Sequence, residues 1–212
     1  MDAAAARARL RHVRWIGGGS GGGKSTLARR LGEERGWRHY ATDDVMGDHA
    51  RRSTAADAPL LAAFAAMDMD ERWLLRPPEV MLETFHWFRG EGFGLIVEDL
   101  LALPERPIVV VEGFRLLPEL VQPLLTRPEH AVWLLPTPAF RRAAFERRGS
   151  LWQIAGRTSD PEAALRNLLR RDELFTERLA RRVHELRLPA IEVDATVGEE
   201  ALTRRIGAVF SA

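Results

Sequence analysis

The residues with the clearest chemical capacity lie in one run, Gly17-Gly18-Gly19-Ser20-Gly21-Gly22-Gly23-Lys24-Ser25-Thr26. Gly18 to Ser25 satisfies G-x-x-x-x-G-K-[ST]. Glycines at this density let the backbone curl so that successive N–H groups point into one concavity, a nest for an anion. Lys24 adds a mobile ammonium suited to the β- and γ-phosphates of a nucleotide, and the Ser25 hydroxyl suits Mg²⁺. A helix opening at this point contributes its positive end. Gly18, Gly19, Ser20, Gly21, Gly22, Gly23, Lys24, Ser25 and Thr26 are therefore expected to cradle phosphate. Flexible linkers share this composition, so the flanking residues must decide between the two.

Carboxylates follow at two further points, in Thr42-Asp43-Asp44 and in Glu112-Gly113. A carboxylate beside a phosphate nest can accept the proton of an attacking hydroxyl. It can also hold Mg²⁺ through water. Asp43 is expected as base or substrate-orienting acid, with Asp44 second; helix capping before Val45 is the structural alternative for either. Glu112 ends an apolar run and is expected on the metal side with Ser25. Gly113 would let the backbone pass close to a ligand. Arg141, Arg142, Arg147 and Arg148 form a cluster, with Arg157 beyond. Guanidinium groups on a closing segment can stabilise charge that spreads over a transferring phosphoryl group and can exclude water. Arg148 and Arg157 are expected to do this, the remainder forming a solvated face.

These groups need elements to hold them. Val13–Ile16 before the glycines reads as a strand, and Ser25–Glu34 after them as a helix with Leu27 and Leu31 on one face. Gly36 stops that helix. A strand–loop–helix context argues against a linker. Further strands are expected at Arg38–Ala41, Pro107–Glu112, Ala131–Leu135 and Ala190–Asp194. Their near-continuous apolar runs suit a parallel sheet covered on both faces. Asp43, Asp44 and Glu112 would then lie at carboxyl ends of strands, where open α/β sheets bind ligands. Helices are expected over Leu116–Leu125, Pro138–Arg148 and Glu199–Phe210. A long helix capped by Asp160 should run to about Leu188. Asp172 falls in its apolar stripe, so an ion pair with Arg170, Arg171 or another arginine is expected. Between strands two and three, helices at Pro59–Arg76, Pro78–Phe88 and Phe93–Leu103 carry Trp73, Phe85, His86, Trp87, Phe88 and Phe93. They form a helical cap with its own small core, and its aromatic and basic residues are candidates to line an acceptor pocket.

Composition sets outer bounds. The chain has 212 residues, 46% hydrophobic, enough for one α/β domain with a substantial core. The net charge of +1 offers no field for nucleic acid or a membrane surface. With no cysteine, disulfides and thiolate metal sites are excluded, and a cytoplasmic location is expected. No apolar run is long enough to span a bilayer. The Ala/Arg-rich start lacks the apolar core of a secretion signal and reads as a frayed tail or short surface helix.

The Gly-Gly-Ser-Gly-Gly-Gly-Lys-Ser-Thr loop, the Asp-Asp after strand two, the Val-Val-Val-Glu-Gly end of strand three and the arginine-rich segment after strand four together resemble the P-loop small-molecule kinases. This broad group includes nucleoside and nucleotide kinases, shikimate and gluconate kinases and chloramphenicol phosphotransferase. The resemblance implies a three-layer α/β/α fold with a five-stranded parallel sheet in order 2-3-1-4-5, a mobile lid, and ATP with Mg²⁺. It covers nearly the whole chain in layout: one domain over 1–212, an acceptor-binding insert at 48–106 and a lid-like segment at 141–160. The loop opening and Val-Glu-Gly are similar to uridine kinase and phosphoribulokinase, while the insert matches no known nucleotide-binding insert. The expected activity is transfer of the γ-phosphate of Mg·ATP to a hydroxyl of a small molecule. Lys24, Asp43, Asp44, Arg148 and Arg157 would be catalytic. A nucleoside or nucleoside-monophosphate kinase is an alternative, and a nucleotide-binding regulator with little turnover is another. Neither nucleic acid nor membrane is expected as a partner. A GTPase would need Asn-Lys-x-Asp, but the one asparagine, Asn167, precedes Leu168. An ABC ATPase would need Leu-Ser-Gly-Gly, which is absent.

Overall fold

Strand β1 (Val13–Gly18) occupies the middle of a five-stranded sheet. It pairs with β3 (Val109–Glu112) and β4 (Ala131–Pro136), while β2 (Arg38–Ala41) and β5 (Ala190–Val193) form the edges. The order is β2-β3-β1-β4-β5 and every pairing is parallel. This computed structural model describes residues 2–211. Among them, no helix is long and apolar enough to cross a membrane.

Alternation along the strands feeds two cores. Val13, Trp15, Val109, Val111, Ala131 and Trp133 face one side; Ile16, Val110, Val132, Leu134, Ile191 and Val193 face the other. Helices α1 (Ala3–Arg9), α2 (Lys24–Arg35), α3 (Met46–Arg52), α4 (Pro59–Ala66), α5 (Met69–Trp73), α6 (Pro78–Thr84) and α7 (Phe93–Ala102) precede β3. Helices α8 (Pro118–Val121), α9 (Pro138–Arg147), α10 (Pro161–Glu185) and α11 (Glu199–Val209) follow it. The second core is closed by Leu27, Ala28 and Leu31 of α2 and by Leu202 and Ile206 of α11. The first is closed by Ile96 and Leu100 of α7, Val121 of α8, and Phe175, Leu179 and Val183 of α10. Burial of both faces explains why the central strands β1, β3 and β4 read as largely apolar runs.

Several elements differ from expectation for local reasons. The segment expected as one helix from Pro59 to Arg76 is two. Asp68 caps α5 by accepting from the Glu71 N–H, and Glu71 reaches back to the Asp68 N–H, a reciprocal capping box. The helix expected over Pro78–Phe88 ends at Thr84 and resumes as a 3-10 turn, His86–Arg89. Leu116–Leu125 is likewise a short α8 followed by a 3-10 turn at Gln122–Leu124. Helix α10 stops at Glu185, and Arg187 adopts a left-handed φ of 53° before Leu188. The N-terminal helix is docked rather than frayed: Ala6 and Leu10 are buried, and Arg7 and Arg9 donate to the carbonyls of Pro123 and Leu101.

The insert between β2 and β3 shares a third core with the chain after α9. Trp73, Ala155, Ala164, Leu165 and Leu168 pack together with Phe64 and Phe85. Ser159 donates from its N–H and hydroxyl to Asp70, tying α5 to the start of α10. The insert is thereby fixed above the carboxyl ends of the strands.

Candidate active site

The glycine loop leaves β1 and turns directly into α2. Gly18, Gly21 and Gly23 have φ of 127°, 77° and 82°, a region open to glycine and strained for other residues. Gly23 is the N-cap of α2 and makes no side-chain cap, and the first backbone bond there runs from the Leu27 N–H to the Gly23 carbonyl. No side chain therefore competes for the first-turn N–H groups of Lys24, Ser25 and Thr26. Gly18 and Gly19 are the buried base of the loop: a Cβ on Gly19 would stand 2.5 Å from the Thr176 hydroxyl. Lys24 is buried, and its Nζ donates to the Gly19 carbonyl at 2.8 Å. Burial pushes its pKa below the ordinary lysine value, while Glu112 and Asp43 pull it back. From beneath, the buried Arg141 donates to the Ser20 carbonyl and the Thr176 hydroxyl.

The acids arrive from the adjacent strand ends. Glu112 is aligned with Ile16 of β1 and Ala41 of β2, and it is 1% exposed. Its Oε1 is 3.6 Å from His39 Nε2. Gly113 has φ 153°, and a Cβ there would fall 1.7 Å from the Thr42 hydroxyl oxygen. Its role is thus a close approach of the β2 and β3 ends, rather than passage past a ligand. That approach sets Asp43 beside Glu112 and Lys24. As a residue Asp43 is exposed, but its carboxyl lies in the cleft, where desolvation raises its pKa and Lys24 opposes the rise. Asp44 is exposed and lines neither cavity at the loop; its N–H bonds to the Ala41 carbonyl.

Two cavities meet at the loop. The larger, about 980 Å³, lies between Gly21–Gly23, Thr26, Phe140, Arg147 and the Asp194–Glu199 loop. The smaller, about 390 Å³, reaches from Ser20, Lys24 and Ser25 past Asp43 and Glu112 into the aromatic side chains of the insert. Gly21, Gly23 and Arg148 line both. Arg148 thus stands where expected, but Arg157 does not: it is exposed on a 3-10 turn, Ala155–Arg157, and lines neither. Ile154 and Phe145 complete the smaller cavity from the 141–160 side.

Sequence reasoning overlooked Arg115, which anchors the insert. It is 1% exposed and lies 4.0 Å from the Trp87 ring centroid. It donates to the carbonyls of Thr42 and Gly92 and to His49 Nδ1. With Nδ1 accepting, His49 donates from Nε2 to Asp99 at 2.8 Å, and Tyr40 donates to the same oxygen at 2.7 Å. Burial pushes the Arg115 guanidinium down to about 10. Its partners are spread from residue 40 to residue 99, so no local pattern marks it. Asp172 has its ion pair, with Arg171 Nη2 at 2.6 Å, yet both residues also line the smaller cavity.

The donor set suits Mg²⁺. Ser25, Asp43 and Glu112 offer hard oxygens along one wall, and no group of three or more His, Asp or Glu among the described residues forms a closed metal cage. Mg²⁺ is commonly held in this way, by one or two carboxylates with phosphate and water supplying the rest.

No protein-family model matches the chain, and no curated protein matches it. Among solved structures, an uncharacterized protein from Eubacterium ventriosum is similar at 16% identity, with 94% of this chain and 97% of that chain covered and a TM-score of 0.47.

Proposed function

We propose that this chain is a P-loop kinase that transfers the γ-phosphate of Mg·ATP to a hydroxyl of a small molecule, in the cytoplasm. The observation that carries the reading is the junction of two cavities at a glycine loop, with Lys24, Ser25 and the uncapped start of α2 beside it. The larger cavity suits the nucleoside, the loop the phosphates, and the smaller cavity the acceptor. Lys24 would leave the Gly19 carbonyl and bind the β- and γ-phosphates, while Arg148 covers the γ-phosphate from the 141–160 segment. Ser25 and Glu112 are the residues that would hold Mg²⁺, which when bound would supply positive charge to the phosphates. Asp43 orients the acceptor hydroxyl and takes its proton as the new O–P bond forms and the bond to ADP breaks. A carboxyl with a raised pKa is the better base for that task.

Calorimetric titration with Mg·ATP tests the first half of this reading. The wild-type chain should bind, and Lys24→Ala should weaken binding about tenfold or more, through loss of a charge-assisted contact, with an unchanged circular dichroism spectrum. A wild-type chain that ignores ATP, or a variant that binds as well, contradicts it. The nucleoside-kinase alternative differs only in the acceptor, which the smaller cavity decides.

A further inference from the structure

The smaller cavity carries more information than its position. Its upper wall is aromatic: Phe64 packs edge-to-face with Trp73 at 5.2 Å and with Phe85 at 5.4 Å, and Phe85 with Phe88 at 4.8 Å. Such walls accept flat, unsaturated groups and gain little from polyols.

Two polar side chains in this wall are incompletely satisfied. Arg171 is 6% exposed, its guanidinium carbon 5.0 Å from the Trp73 and Phe85 ring centroids and 5.2 Å from that of Phe88. Its Nε and Nη2 both donate to one oxygen of Asp172, and Nη1 has no partner. His86 is 3% exposed, with ring centroids 4.7 Å from Phe85 and 5.0 Å from Phe64, and its Nδ1 has no partner. Buried polar atoms are nearly always paired, so two orphans bordering one phenyl ring call for a partner from outside the chain. Burial holds the His86 imidazole down at about 4, with Arg115 and Arg72 adding to the effect, so it is neutral and offers one donor and one acceptor.

Charge narrows the ligand further. Asp43, Glu112 and Asp172 all line this cavity. The Arg171 charge is already compensated by Asp172, and Lys24 and Arg148 belong to the phosphates. A carboxylate or phosphate on the acceptor would meet the carboxylates of Asp43 and Glu112 and no free cation of its own.

We infer that the smaller cavity takes a neutral hydroxyl compound built on a flat, unsaturated ring, whose ring carbonyl or ring nitrogen pairs with Arg171 and His86. This rests on the kinase reading for the fate of the hydroxyl, but not for the binding. Two measurements separate the two claims. Quenching of tryptophan fluorescence without ATP reads binding alone, and ADP release with Mg·ATP reads transfer. The probes are neutral nucleosides and hydroxymethyl aryl amides, set against gluconate, shikimate and a nucleoside monophosphate. The ring compounds should quench and the anions should not.

Two variants test the named residues. His86→Phe keeps a ring of similar size and removes the nitrogens. Arg171→Met combined with Asp172→Leu removes both charges together, which keeps the site from holding an unpaired ion. Each should raise the acceptor KM about tenfold, the scale of one lost hydrogen bond to a charged or buried group, and leave the KM for ATP unchanged. Ring compounds that bind but are never phosphorylated would support the ligand class and overturn the kinase reading. Anionic acceptors that bind or turn over best, or both variants keeping the wild-type acceptor KM, would overturn the ligand class.

Discussion

Asp43 carries its carboxyl into a cleft shared with Lys24 and Glu112, and burial raises its pKa above the usual 3.8. The consequence for stability has a definite sign. A group whose folded pKa exceeds its unfolded value favours the folded state while protonated, and that contribution is lost as the pH rises through the folded pKa. At neutral pH the ionised carboxylate is therefore a burden on the fold. Asp43→Asn should raise the melting temperature at pH 7 while lowering kcat by about 10²- to 10⁴-fold. The wild-type pH–rate profile should show an acid limb displaced upward from an ordinary carboxylate, and Asp43→Asn should lose it. A variant with normal kcat, or an unaltered acid limb, removes Asp43 from the role of base. A carboxylate at a strand end was legible in Thr42-Asp43-Asp44, with Asp43 preferred to Asp44; the placement of each side chain was not. Asp43 enters the cleft, and Asp44 stays outside.

Among elements, the β2 and β3 ends matter most, because their close approach brings the two carboxylates together. Gly113→Ala would introduce a Cβ 1.7 Å from the Thr42 hydroxyl oxygen at a φ of 153°. Steric overlap and backbone strain together should destabilise the protein by about 2–4 kcal/mol, read as a lower urea midpoint. Wild-type stability would mean that the two strand ends are not in contact. All five strands were legible: β1, β3 and β4 as apolar runs buried on both faces, and the half-exposed edge strands β2 and β5 from their places between helices. The helices of the insert were legible in kind and not in extent. The break before α5 is written in Asp68-x-x-Glu71, a capping signal inside a stretch whose composition favours helix throughout. Arg115 had no such signal, because its hydrogen-bond partners come from the β2 end and from two separate parts of the insert, at His49 and Gly92.

For the molecule as a whole, the sheet fixes one edge at which the glycine loop, both acids and two cavities converge. The insert and the start of α10 share a core above the smaller cavity, which explains why an aromatic-rich stretch so distant in sequence borders the glycine loop. The glycine loop was legible because its residues are contiguous. The aromatic cavity was visible only as a region, since Arg171 and His86 are 85 positions apart and meet through Phe85. Transfer of label from γ-labelled ATP joins both halves in one experiment. Wild-type protein with Mg²⁺ and a neutral ring alcohol should yield a labelled acceptor and one ADP per transfer, and Lys24→Ala should cut the rate by about 10²-fold or more. Label released only as inorganic phosphate, or transfer by Lys24→Ala at the wild-type rate, would contradict phosphoryl transfer at this loop.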